Sequence, residues 1–349
     1  MDYSDIFQDK VVLVTGGTGF LGRALVKEIL KCEPASVRIF SRDEVKHHAV
    51  QQLLINHPHN HKVRHLIGDV RDYPRLQRAL ENVDIVIHAA ALKRLDILEY
   101  NVSESINTNI LGTLNVVNAA LANHVEKVIF VSSDKACSPI NTYGACKFIG
   151  EKIFTETDYS RGNKKTIFTS VRYGNVLEST GSVIPFFESK IKSGQKIPLT
   201  DSRMTRFIIS EQQALTLIFE ALRYGVGGEV FVPILPAFKI VDLIEILMEK
   251  HQVRNEIEHI GIRPGEKIHE QLMNDSEVPR AYRFKDMYII TSSIRQFSGL
   301  KVSNLVKEHG QKLKEEEFTD YSSQYSVLPK VEVEALFKSL GVLSGPERG

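Results

Sequence analysis

Tyr143 and Lys147 stand four residues apart in Tyr143-Gly144-Ala145-Cys146-Lys147, so on a helix both side chains face the same way. An ammonium near a phenol favours the phenolate, which lets the tyrosine act as a base at neutral pH, and the same lysine can hold the ribose of a nicotinamide cofactor. A second cluster lies near the N-terminus, in Thr15-Gly16-Gly17-Thr18-Gly19-Phe20-Leu21-Gly22. Glycines let the backbone turn sharply and approach a pyrophosphate, whose charge then rests on free N–H groups where the next helix, expected over 23–31, begins. Gly16, Thr18, Gly19, Phe20, Leu21 and Gly22 are therefore candidate cofactor contacts.

Three further short stretches fit the same ligand. An acidic residue at the end of the second strand would hold the 2′-hydroxyl of NAD. Here Ser41 and Arg42 occupy that place, with Lys46 nearby, and a hydroxyl and a guanidinium suit a 2′-phosphate, so the expected cofactor is NADP despite the adjoining Asp43. Gly68-Asp69-Val70 follows the third strand, where Asp69 could accept from the adenine amino group. Ala89-Ala90-Ala91, followed by Lys93, comes after the fourth strand and lets the chain pass close to the cofactor.

Positioning these groups falls to apolar runs at 11–15, 37–41, 63–67, 85–88, 128–132 and 167–172, rich in β-branched residues and spaced for crossover helices. The pattern predicts an α/β fold, a Rossmann-like doubly wound parallel sheet with a smaller C-terminal substrate-binding lobe. After about residue 175, Pro185, Pro198, Pro233, Pro236 and Pro264 divide the chain into shorter elements. The expected organisation is a dinucleotide-binding domain over 1–178, a substrate lobe over 179–291, and a C-terminal extension over 292–349 packed on the core or on a neighbouring subunit. In the extension, the charged run 314–317 reads as a solvated face and 331–340 as a packing helix.

Composition limits the partners. Among 349 residues, 44 basic and 43 acidic side chains leave a net charge of +1, so no global field attracts nucleic acid or an anionic membrane. The scattered Cys32, Cys137 and Cys146 form neither a disulfide framework nor a zinc site. The polar start of the chain lacks a signal-peptide pattern and no run approaches the length of a membrane span, so a cytoplasmic protein without membrane insertion is expected. His47, His48, His57, His59 and His61 lie without carboxylate or cysteine partners at ligand spacing and read as a solvated connection, not a metal site.

The glycine pattern, the alanine triplet and Tyr-x-x-x-Lys together resemble the extended short-chain dehydrogenase/reductase superfamily. Within it, Ser132-Ser133-Asp134-Lys135-Ala136, ten positions from Ser133 to Tyr143, is similar to the inverting UDP-N-acetylglucosamine 4,6-dehydratases. His88-Ala-Ala-Ala-Leu-Lys93, Ser41-Arg-Asp-Glu44, Met204-Thr-Arg-Phe207 and Arg263-Pro-Gly-Glu-Lys267 fit the same family. Ser133 stands where the family usually has threonine and keeps the hydroxyl. The resemblance implies oxidation at carbon 4 of the sugar, loss of water across carbons 5 and 6, and return of the hydride to carbon 6, with the cofactor regenerated.

It also implies roles for particular residues. Tyr143 takes the carbon-4 hydroxyl proton, Lys135 the carbon-5 proton, and Asp134 protonates the departing hydroxyl. Lys135 then needs a lowered pKa, which burial beside Lys147 or apolar walls would provide. Arg206, Arg263 and Lys93 are candidates for the substrate diphosphate, Glu266 for ribose hydroxyls, Thr200 and Asp201 for the nucleoside and Asn175 for the sugar. The expected assembly is a homo-oligomer, with a hexamer as one form. A UDP-sugar 4-epimerase and a configuration-retaining dehydratase are the alternatives. A non-catalytic NADP-sensing scaffold is disfavoured by the presence of Tyr143, Lys147, Asp134 and Lys135 together.

Overall fold

In a computed structural model describing residues 2–177, 183–294, 302–316, 318 and 320–343, the six apolar runs form parallel strands. These are β1 (Val11–Thr15), β2 (Ser36–Ser41), β3 (Val63–Ile67), β4 (Ile85–His88), β5 (Lys127–Val131) and β6 (Ile167–Val171). Their spatial order is β3-β2-β1-β4-β5-β6, so the direction of winding reverses between β1 and β4. In such sheets the crevice beyond the carboxyl ends at the reversal is where ligands bind.

Side chains alternate across the sheet. Val12 and Val14 enter one apolar cluster with Ile39, Ile87 and Ile129, whereas Leu13 joins Val86, Val128, Phe130 and Phe168 on the other face. Helices cover both clusters, and burial on both faces is why these strands read as continuous apolar runs.

The sheet does not stop at β6. The Val230–Pro233 strand pairs with β6 in parallel, followed by three antiparallel neighbours, Met287–Ile290, Ala281–Phe284 and Gln311–Lys312, making ten strands. This antiparallel edge departs from the purely parallel sheet expected. Its hairpin turns at Lys285-Asp286, with Lys285 in the left-handed region at φ 51°, a two-residue turn without the Asn-Gly or Asp-Gly that signals one.

A third apolar cluster marks the smaller lobe. The Val183–Lys192 and Ile240–His251 helices supply Ile184, Phe187, Leu243 and Leu247, and the Lys330–Ser339 helix adds Val333 and Phe337. The C-terminal segment thus packs on its own chain, giving one strand to the large sheet and one helix to the small core. The boundary drawn at 178/179 and Glu317 of the charged run lie outside the described residues.

A buried charge network also braces the large core. Arg172, 1% exposed, donates to both carboxylate oxygens of Glu151, on the Thr142–Ser160 helix, and to both oxygens of Glu277. Glu151 also accepts from the Ser132 hydroxyl at 2.6 Å. Glu151 lies one turn beyond Lys147, so this network fixes the helix that carries Tyr143 and Lys147.

Candidate active site

A cavity of about 430 Å³ opens at the carboxyl ends of the parallel strands, and every residue expected to hold the dinucleotide lines it, from Gly16 through Lys93 to Tyr143 and Lys147. Gly16 adopts φ +70°, and a Cβ there would lie 2.9 Å from the Ala90 backbone. The alanine segment presses against the glycine turn at that point. The following helix begins at Phe20, three residues earlier than the sequence suggested, and its N-cap is Gly19, which supplies no side-chain acceptor. The first helical N–H groups are left to a ligand, the arrangement that receives a pyrophosphate.

The turn is braced from beneath. His88, fully buried, lies 2.7 Å from Thr15 Oγ1 and 3.0 Å from Thr113 Oγ1, and Thr15 Oγ1 accepts from Ala90 N. Burial, reinforced by the Lys147 charge, pushes the imidazole down to about 3, so it is neutral and serves as a strut.

At the far end of the cavity, the Thr18 N–H approaches Ser41 Oγ at 3.4 Å. Arg42 is half exposed, 3.5 Å from Asp69. Lys46 lies in the first turn of the Glu44–Leu53 helix, capped by Asp43, whose carboxylate accepts from Lys46 N. Burial would raise the Asp69 carboxyl, but the Arg71 side chain and N–H, with Arg42 beside them, hold it below its usual range. His47 is turned away from the cavity, with Nε2 on the Ser41 carbonyl and Nδ1 on His65. Among the described residues no group of three or more His, Cys, Asp or Glu is arranged to hold a metal.

The reactive groups stand where β5 ends. Asp134 and Lys135 form a 3-10 turn whose cap, Ser133, accepts from Lys135 N and donates its hydroxyl to Asp134 Oδ1 at 2.8 Å. The Thr142–Ser160 helix starts against this turn: Asn141 caps it by accepting from Gly144 N, and any Cβ at Gly144 would meet the Lys135 carbonyl at 2.2 Å. Only glycine lets Tyr143 come so near Lys135. Asn141 also donates to Gly265 O at 2.8 Å, fastening the 263–267 segment to the helix start.

Electrostatics here correct two expectations. Burial alone would strip Lys135 of its charge, but Asp134 at 3.0 Å and Glu270 at 3.7 Å outweigh it, with Arg206 opposing them, and the lysine is held well above its ordinary value. The expected lowering does not occur, because two carboxylates face an ammonium that the sequence left unpaired. Lys147, by contrast, is lowered by burial to about 8. Its Nζ donates to Val131 O at 2.6 Å and lies 4.5 Å from the Phe130 ring centroid. Lys147 Nζ also lies 6.0 Å from the Tyr143 ring centroid, the charge that acts to lower the phenol is that of Lys135, and burial still pushes Tyr143 up to about 12.

Lys135 and Asn175 line the cavity; Asp134 sits behind Lys135 with Oδ2 buried and without a hydrogen-bond partner among the described residues, and Gly174 has no Cβ to cover it. Of the other substrate candidates, Thr200 donates to Glu266, Asp201 is paired with the exposed Arg203, Arg206 is bonded to the Thr205 and Ile268 carbonyls, and Arg263 is exposed. None of these five lines the cavity. Thr108, Tyr173 and Glu270 were missed. Thr108 lies in a single turn of π-helix, Ile106–Leu111, with its hydroxyl buried at the cavity wall and without a hydrogen-bond partner among the described residues. A π-bulge leaves no compositional signal, and Glu270 lies far along the chain from Lys135, so neither was legible.

Comparisons with known proteins give the family and the fold. The profile of a family described as polysaccharide biosynthesis protein matches residues 12–292. The chain is 42% identical to the UDP-N-acetylglucosamine 4,6-dehydratase (inverting) of Campylobacter jejuni over 320 residues, 89% of this chain and 92% of that protein. It is 40% identical to the UDP-glucose 4-epimerase of Rickettsia rickettsii over 300 residues, 85% and 87% respectively. The X-ray structure of Pen from Bacillus thuringiensis is similar with a TM-score of 0.88 and 40% identity, covering 96% of this chain and 99% of that one.

Proposed function

This chain belongs to the polysaccharide biosynthesis protein family, with the extended short-chain dehydrogenase/reductase fold, and on that premise we propose that it is an NADP-dependent UDP-N-acetylglucosamine 4,6-dehydratase, a lyase that inverts carbon 5. The observation carrying the proposal is that Lys135 lines the same cavity as Tyr143 and Lys147, with Asp134 bonded to its ammonium from behind at 3.0 Å. Oxidation and reduction at carbon 4 need one base. Removing water across carbons 5 and 6 needs an acid and a base more.

The site fits a dinucleotide: the Gly16 turn, the amides at Gly19 and the cations Arg42 and Lys46 line one cavity. When bound, NADP supplies reversible two-electron oxidation of the sugar. Tyr143 receives the carbon-4 hydroxyl proton, which requires its raised pKa to fall as positive charge gathers beside it. Lys147, oriented by Val131 O, holds the nicotinamide ribose.

The Asp134–Lys135 pair carries a single dissociable proton, which rests on Lys135. The proposed roles, Lys135 as base toward carbon 5 and Asp134 as acid toward the leaving hydroxyl, need it on Asp134. Transfer across the 3.0 Å hydrogen bond exchanges the two forms without changing net charge. After elimination, Lys135 keeps the carbon-5 proton as an ammonium and Asp134 is left as carboxylate, which is the resting form of the pair. Inversion needs the new proton on the face of carbon 5 opposite Lys135, and Tyr143 delivers there the proton it took from the carbon-4 hydroxyl, returning to phenolate. Protons and charge then balance over one turnover.

The test is incubation with UDP-N-acetylglucosamine in deuterated water without added reductant. The expected product is lighter by one water apart from deuterium and carries solvent deuterium at carbon 5. A second reading, a UDP-sugar 4-epimerase, is favoured by the Rickettsia relative and would give a product of unchanged mass without solvent label. The same proposal places the enzyme in the cytoplasm as a homo-oligomer, which sedimentation of the purified protein measures.

A further inference from the structure

Glu270 belongs to none of the groups assigned to the reaction, yet it is a carboxylate only 3% exposed. Its Oε1 lies 3.7 Å from both Lys135 Nζ and Arg206 Nε, and its Oε2 is buried with no hydrogen-bond partner among the described residues. Asp134 approaches the same ammonium at 3.0 Å. Two anions and two cations therefore alternate along Asp134, Lys135, Glu270 and Arg206, and the Tyr143 phenol faces them from the Thr142–Ser160 helix. With all four members charged the cluster is neutral. A buried carboxylate with one bare oxygen is costly, and a glutamine of the same shape would avoid that cost.

The position of Glu270 is set by the C-terminal segment. Tyr321–Ser322 pairs with Gln271–Met273 as a short antiparallel ladder. Just beyond it, fully buried Ser323 grips Glu270 from both sides, its Oγ accepting from Glu270 N at 2.9 Å and its N donating to Glu270 O at 2.8 Å. Ser323 Oγ also lies 2.7 Å from the hydroxyl of Thr205, the neighbour of Arg206, and that hydroxyl is 2.8 Å from His269 Nδ1. Tyr321 locks the segment in place by accepting from Leu235 N and donating to Leu235 O.

We propose that Glu270, anchored by Ser323, is a positioning residue that keeps Lys135 an ammonium turned toward Asp134, and so fixes where the proton of that pair rests. Burial favours the neutral amine and Asp134 alone must contend with Arg206, so the second carboxylate decides the balance. What the proton does in turnover rests on the dehydratase reading above; where it rests does not.

Reductive methylation with formaldehyde and cyanoborohydride reads the neutral amine directly. Full-length protein without substrate is labelled across a pH series, and the Lys135 peptide is quantified by mass spectrometry against exposed Lys165. Glu270→Gln is expected to raise Lys135 labelling at least about tenfold at a given pH, equivalent to a midpoint about one unit lower. Glu270→Asp returns it toward wild type, and Ser323→Ala shifts it the same way by less. Equal labelling in wild type and a folded E270Q overturns the proposal; where E270Q does not fold, unchanged labelling in S323A does so. The basic limb of water loss from UDP-N-acetylglucosamine should move to lower pH in E270Q, which a merely structural role would not produce. A wild-type enzyme that removes no water defeats the dehydratase reading alone and leaves the labelling result standing.

Discussion

The Lys147 ammonium donates to the Val131 carbonyl oxygen at 2.6 Å in a fully buried setting. Burial lowers this lysine to about 8 in the folded protein, against 10.5 for the free group. Below pH 8 both folded and unfolded chains hold the proton, and the cost of burying the charge is fully present. Between about 8 and 10.5 only the unfolded chain still holds it, so this group makes stability rise with pH across that window. Lys147→Met should remove that rise. Urea midpoints of both proteins at about pH 7.5 and about pH 9.5 provide the check, and equal slopes would contradict it.

Tyr143→Phe should lower turnover by about 10²–10⁴-fold, the usual contribution of a positioned base, while leaving NADP binding nearly intact. Because burial raises this phenol to about 12, wild-type activity should climb with pH through the neutral range as the phenolate fraction grows. Initial rates over a pH series, beside calorimetric titration of cofactor, measure both. A flat profile would remove Tyr143 from the role of base.

Asp134→Asn keeps the size of the side chain but cannot deliver the proton to the leaving hydroxyl. Water loss should fall at least about 10²-fold while oxidation at carbon 4 continues, seen as reduced cofactor accumulating on mixing with substrate. Parallel loss of both steps would instead assign Asp134 to maintaining the turn.

Arg42→Ala should weaken NADP by about 1.5–3 kcal/mol, the range for hydrogen bonds to charged groups, and leave NAD affinity almost unchanged. Direct titration of both cofactors decides it. Equal weakening would mean that Arg42 contacts something other than the 2′-phosphate.

Arg172→Met strands Glu151 and Glu277 in the interior without their shared cation. Loss of one partner from such a buried pair costs about 3–5 kcal/mol, so a large fall in the urea midpoint is expected. A change below about 1 kcal/mol would show the network to be no stronger than a surface pair.

The nucleotide-binding half was legible because its signals are local. A strand buried on both faces is a run of apolar residues, and a phosphate turn is a run of glycines adjoining it, so 11–15 and Gly16 could be read from adjacent positions. The antiparallel edge was not, since the Ala281–Phe284 and Met287–Ile290 hairpin turns on Lys285 without the usual glycine. The protonation of Lys135 escaped for a different reason. Its type and neighbours suggest a lysine waiting to be neutralised by burial, and of the two carboxylates that reverse this, Asp134 and Glu270, the second lies far away in the chain. The roles of Arg206 and Glu266 were hard to read for the same reason: each is held by partners that only folding assembles.

The clasp of Ser323 on Glu270 also bears on how the enzyme is made. Synthesis runs from the N-terminus, so a chain still on the ribosome can form the phosphate turn and the first six strands while Glu270 lacks its anchor. A chain cut between Glu270 and Ser323 would keep the phosphate turn and lose the clasp that, on the proposal above, sets the proton of the Asp134–Lys135 pair.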